Sequence, residues 1–151
     1  MTLTKNGEDM EKYQPEALGI YPKSAISWYN KGVDLHDLGK NEEALVAYDK
    51  AIEIYPNLIE AWIYKGLLLE YFGRIAEALV AFDKAIEINP NKGEIWTFKG
   101  ISLGHLSRTE EAFAAFDKAI EIDPKDEFAC FIKRKALLNN GKYEWTRKNL
   151  K

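Results

Sequence analysis

Apolar residues along this chain fall into two helical stripes that return every 34 residues. In residues 25–58 the first stripe is Trp28, Gly32 and Leu35, closed by Gly39; the second is Ala44, Leu45, Tyr48, Ala51 and Ile52. At about 100° per residue each set lies on one side of a helix, with polar residues opposite. The pattern predicts a first helix over about Ala25–Leu38 and a second over about Glu42–Ile54. Ser24 and Asn41 are the expected N-caps, and Gly39 the stop of the first helix. Pro56 bars continuation of the second, Asn57 is expected to start the next, and Glu42 and Glu43 suit the positive end of a helix dipole.

The same unit recurs. Trp28, Trp62 and Trp96 keep one step, as do Gly32, Gly66 and Gly100, Ala44, Ala78 and Ala112, and Pro56, Pro90 and Pro124. Near-identical octapeptides, AYDKAIEI or AFDKAIEI, begin at Ala47, Ala81 and Ala115. Such periodicity marks stacked units that cannot each bury an apolar face alone. Isolated helices this short are marginal in water, so packing must hold them. Gly32 and Ala44 are read as leaving room for close helix approach. The tryptophan is expected to fill the space between units, burying roughly 150–250 Å².

The set Trp28, Gly32, Leu35, Ala44, Tyr48, Ala51 and Pro56, repeated with Phe82 and Phe116 in place of Tyr48, resembles the tetratricopeptide repeat pattern. The resemblance implies an all-α fold, a right-handed α-solenoid of antiparallel helix pairs. Three full repeats (25–58, 59–92, 93–126) and a partial fourth are expected, with residues 24–126 the repeat domain and 127–151 a C-terminal cap. Residues 1–23 read as a tail, with Ala17–Pro22 in register with Ala51–Pro56 as the vestige of an earlier repeat. In the partial fourth unit Cys130 replaces the tryptophan. Lys31, Lys65 and Lys99 stand where the family pattern has leucine. Each is expected to lay its methylenes on the core and release its ammonium to water.

The resemblance also implies a function: first helices lining a concave groove that holds a peptide or helix segment of a partner protein. The corresponding positions are Tyr29, Asn30, Val33 and His36; Glu60, Ile63, Tyr64, Leu67 and Tyr71; and Glu94, Thr97, Phe98, Ile101 and His105. They vary between units while the packing positions do not. Chaperone-binding members grip a terminal carboxylate with basic residues, but the matching positions here, Tyr29, Val33, Tyr64, Glu94 and Phe98, include none. An apolar or amphipathic segment is expected instead, its basic residues meeting Glu60, Glu70 and Glu94. Self-association through the groove or the Phe128–Phe131 end is the alternative.

Composition narrows the classes further. A net charge of −3, with 21 basic and 24 acidic residues, argues against nucleic acid as partner. No apolar run reaches the roughly 20 residues that span a bilayer, so no membrane association is expected. The acidic N-terminal stretch does not resemble a secretory signal, and the single cysteine allows no intrachain disulfide; a cytoplasmic protein is expected. His36 and His105 fall two units apart, which excludes a shared metal ion. No phosphate-binding loop or nucleophile–base spacing occurs, so neither a cofactor nor enzymatic activity is expected.

Overall fold

The computed structural model describes residues 21–140, which hold seven helices and no strand. They are α1 (Lys23–Asp37), α2 (Asn41–Ile54), α3 (Ile59–Tyr71), α4 (Ile75–Ile88), α5 (Gly93–His105), α6 (Thr109–Ile122) and α7 (Glu127–Asn139). α1 packs on α2, α3 on α4 and α5 on α6; each pair packs on the next, and α7 closes against α5 and α6. The fold is an all-α helical repeat solenoid. The expected tail at 1–20 and the last part of the cap at 141–151 lie outside the described residues.

Within each pair one glycine and one aromatic ring fix the approach of the helices. A methyl group on Gly32 would come within 2.6 Å of the Tyr48 ring, and one on Gly66 within 2.5 Å of Phe82. Gly100 meets Phe116 in the same way. Tyr48, Phe82 and Phe116 are fully buried, so these rings fill the repeat centres. The tryptophans do not. Trp28, Trp62 and Trp96 are only partly buried. The indole N–H groups of Trp62 and Trp96 instead donate to the carbonyls of Pro56 and Pro90, at 2.7 and 2.9 Å. This ties α3 and α5 to the turn before each, and Trp28, Trp62 and Trp96 also pack, as expected, against the apolar clusters that join neighbouring repeats.

The turns within pairs follow the expected glycine rule twice and break it once. Gly39 and Gly73 both have φ of 73°, where a side chain is disfavoured, and Ser107 holds the third turn at φ 58°. The N-caps differ from expectation. Pro22 precedes α1, its φ already fixed near helical values and its missing N–H no loss at that position, so Ser24 lies inside the first turn. Asn41 is the first residue of α2, and its Oδ1 sits 2.8 Å from His36 Nδ1 rather than capping. Leu58, not Asn57, leads into α3, because Leu58 is buried among Ala25, Ala51, Tyr55 and Ala61.

The lysine ammonium groups are not released to water alone. Lys65 reaches Asp49 at 2.6 Å, Lys99 reaches Asp83 at 2.7 Å, and Lys133 pairs with Asp117. Each bridge joins a first helix to the second helix of the preceding repeat. Lys65 and Lys99 also lie 5.4 Å from the ring centres of Trp62 and Trp96. Both partners of this ladder recur at the repeat step, so it was readable in the sequence.

Candidate functional site

The variable side chains sit on α1, α3 and α5, helices that succeed one another in the stack. Val33, Leu67 and Ile101 are each half-buried at equivalent positions. Asn30, His36, Tyr71, Glu94 and His105 are exposed, while Tyr29 and Glu60 are half-buried. Ile63 and Thr97 are 6% and 0% exposed, so these two expected groove residues belong to the interior instead. Ile63 packs into the apolar core between repeats, whereas Tyr29 at the same repeat position is half-buried against Tyr48 and Tyr64.

Tyr64 and Phe98 serve the scaffold as well as the surface. Tyr64 stacks on Tyr48 with centroids 5.7 Å apart, and Phe98 stacks on Phe82 at the same distance. Each ring thus packs on the buried aromatic of the preceding repeat. Tyr29 completes a three-tyrosine cluster, 5.8 Å from Tyr64 and 6.0 Å from Tyr48. Burial raises the Tyr29 hydroxyl to about 12, helped by Tyr64, which hydrogen-bonds to it, and by the Glu60 charge. Burial lifts Tyr48 further still, with Tyr29, Tyr64 and Asp37 adding to it.

The three acidic groups expected to meet a basic ligand differ. Glu70 accepts a 2.6 Å hydrogen bond from the Ser102 hydroxyl, and His105 Nδ1 lies 3.5 Å from the same oxygen. Glu94 faces Lys92 at 3.1 Å. Glu60 Oε2 is buried with no hydrogen-bond partner among the described residues. Ser102 was missed in the sequence reading; the signal was a hydroxyl at the repeat position occupied by Asp34 and Leu68. A cleft of about 360 Å³ between α5, α6 and α7 was also missed; it is lined in part by Ile101, His105, Phe113, Ile132, Lys135 and Ala136. It depends on how α7 seats against the third repeat, which spacing alone does not specify.

Among the described residues no cluster of three histidine, cysteine, aspartate or glutamate side chains could hold a metal ion. His36 and His105 lie on α1 and α5, with α3 between them in the stack. Cys130 is half-buried and unbridged. No described helix is long and apolar enough to cross a membrane.

The tetratricopeptide repeat family models match residues 25–58, 59–92 and 93–126. Among solved structures, the first such domain of Spaghetti (RPAP3), bound to the HSP90 peptide SRMEEVD, is 20% identical with a TM-score of 0.75; the match covers 81% of this chain and 97% of that one. The first domain of human RPAP3 is 21% identical, TM-score 0.75, covering 82% of this chain and 98% of that one. The Arabidopsis OM64 domain is 18% identical, TM-score 0.71, covering 76% and 94%. Comparison with curated proteins gives no match. Three consecutive repeats, each built on the same glycine–aromatic contact and each matched by the family models over its full length, place the chain in the tetratricopeptide repeat family.

Proposed function

We propose that this chain is a non-catalytic interaction module that holds a peptide or helix segment of a partner protein along α1, α3 and α5. Residues 24–126 form the binding unit, residues 127–151 cap it, and no cofactor takes part. The carrying observation is that Val33, Leu67 and Ile101 keep a partly exposed apolar side chain at one position on three successive helices. Contiguous apolar surface of this kind is commonly a contact site. The Spaghetti domain, which binds an HSP90 peptide, supports the general mode. The absence of basic residues at Tyr29, Val33, Tyr64, Glu94 and Phe98 argues against acidic C-terminal tails as ligands. The mixed charge and the single cysteine favour a cytoplasmic protein whose partner is not a nucleic acid or a membrane.

The test is crosslinked capture of partners from extract by the intact chain, compared with a Leu67→Ala/Ile101→Ala variant and a Val80→Ala control on the second helices, where Val80 is exposed. Loss with the double variant and retention with the control supports the reading; equal capture by all three overturns it. A second reading, self-association, is favoured by the exposure of Phe128, Phe131 and Leu138 on α7. Light scattering separates the two: a dimer that persists on dilution supports self-association, and a monomer supports a foreign ligand.

A further inference from the structure

At the first two junctions between repeats an aromatic ring packs on the buried ring of the repeat before: Tyr64 on Tyr48, and Phe98 on Phe82. At the third junction the repeat step brings Ile132 to the place of Tyr64 and Phe98, and Ala136 to the place of Leu68 and Ser102. Isoleucine and alanine fill less space than a ring and a leucine. The junction is underfilled, and the result is the cleft of about 360 Å³ between α5, α6 and α7, which both residues line. Its α6 wall is apolar, formed by Ala112, Phe113 and Phe116.

A ring tethered nearby fills such a hollow more readily than a free one, because a short link gives it an effective concentration of about millimolar. The chain leaves α7 at the cleft itself. Asn139 and Asn140 both line it, and Gly141 stands at the repeat position of Gly39, Gly73 and Ser107, the three turns with positive φ. Residues 141–151 carry two rings, Tyr143 and Trp145. Counted from Asn140, a chain reaches at most roughly 11 Å to the first and 18 Å to the second, so both come within range. Charge agrees with this. The stretch holds Lys142, Arg147, Lys148 and Lys151 against Glu144 alone, and Glu110 and Glu111 open α6 next to Thr109 of the cleft.

We propose that the cleft between α5, α6 and α7 is the seat of this chain's own segment 141–151, which sets one of its two rings against Phe113 and Phe116. That ring does at the third junction what Tyr64 and Phe98 do at the first two. This deepens the reading of residues 127–151 as a cap and rests on it. Ile101 and His105 belong both to the groove positions and to the cleft wall, so the seated segment bounds the groove at the third repeat.

Limited trypsin digestion of the intact chain, followed by mass spectrometry, reads the rate of cleavage after Arg147 and Lys148. Each rate is divided by that of a synthetic 141–151 peptide bearing the same substitutions, which removes the protease's own sequence preference. The variants are Tyr143→Ser, Trp145→Ser, the two together, and Ile132→Phe/Ala136→Leu, which fills the cleft by copying Phe98 and Leu68. Phe131→Ser, exposed on α7 and not lining the cleft, is the control. The wild-type segment is expected to be cut about tenfold or more slowly than the free peptide. The Tyr143→Ser/Trp145→Ser pair and the filled cleft should each abolish most of that protection, one single serine variant should account for most of the pair's effect, and the control should behave as wild type. Melting curves verify that the filled variant remains folded; should it not, Ala136→Leu alone takes its place with the same expected loss of protection. Protection that survives filling of the cleft overturns the seat and leaves the cap reading standing. Protection that rises with chain concentration places the segment on a second copy and overturns the seat within one chain. A wild-type segment cut as fast as the free peptide overturns both the seat and the cap role of these residues, and leaves the cleft to a partner's side chain.

Discussion

The outward face of α1 and the matching faces of α3 and α5 share one helical frame and differ in chemistry. Where α3 and α5 bury Ala61 and Ile95, α1 exposes Ser27; where they pack Tyr64 and Phe98, α1 exposes Asn30; where they bury Leu68 and Ser102, α1 exposes Asp34. Those positions on α3 and α5 press against the preceding repeat, and on α1 they face outward. A terminal repeat with a polar outer side is what keeps a stack from presenting an adhesive apolar face. The other end is finished differently. At the glycine position of the three repeats α7 carries Arg134, and Phe128, Phe131 and Leu138 are 48%, 57% and 49% exposed. The scaffold positions therefore report not only that a repeat is present but what lies beside it.

The sharpest way to break this comparison is to exchange the chemistry of Asp34 and Leu68. Leu68→Asp puts an unpaired carboxylate into the contact between repeats, and we expect a loss of about 4 kcal/mol or more in chemical denaturation. Asp34→Leu should barely change the melting temperature but should make the chain associate with rising concentration, as read by light scattering. Equal destabilisation by both would show that α1 is packed like α3.

Next in size is the glycine position. Gly66→Ala drives a methyl into the Phe82 ring. We expect a loss of about 1–3 kcal/mol, although alanine alone favours a helix by about 1 kcal/mol. Arg134→Ala, on exposed α7, should stay within about 0.5 kcal/mol. Trp62→Ala should then cost about 1 kcal/mol more than Trp28→Ala, through loss of the hydrogen bond to Pro56 and of packing on the central core. Equal melting losses would contradict the role of Trp62 as a tie between repeats.

Smaller and opposite in sign is Ser107→Gly. It relieves the left-handed turn that Gly39 and Gly73 make without strain, and should raise stability by about 1 kcal/mol. The tyrosine cluster sharpens the contrast spectroscopically. Because folding raises the Tyr29 and Tyr48 hydroxyls, their contribution is fully present below the ordinary tyrosine value of about 10 and declines as pH rises beyond it. Ultraviolet titration should show both ionising late, with the Tyr29 step near pH 12. Tyr48→Phe, which copies the Phe82 arrangement of the second repeat, should remove the later component. Tyrosines ionising together near the ordinary value would mean that the cluster is open to water.

Much of this was legible because the information is local and repeated. Helix periodicity, the Gly39 stop and the proline breaks need no knowledge of the fold. The lysine–aspartate ladder went unread although both sets of residues recur at the same step, because a single unit shows only a solvated lysine. The candidate site was read less completely. Repeat position assigned the candidate residues to α1, α3 and α5, yet it could not separate exposed Asn30 from the half-buried Tyr64 and Phe98 at the same place, nor Tyr29 from buried Ile63 and Thr97.

The chain by itself thus determined the helix pattern and the 34-residue step at which it returns. Only the tertiary structure decided that the Tyr48, Phe82 and Phe116 rings fill the repeat centres, that Tyr64 and Phe98 are partly taken up by packing, and that Glu60 buries an oxygen without a partner among the described residues while Glu70 and Glu94 each engage one. The reason is physical: a residue's place on a helix follows from its own spacing, but its burial and its partners are set by neighbours a whole repeat away.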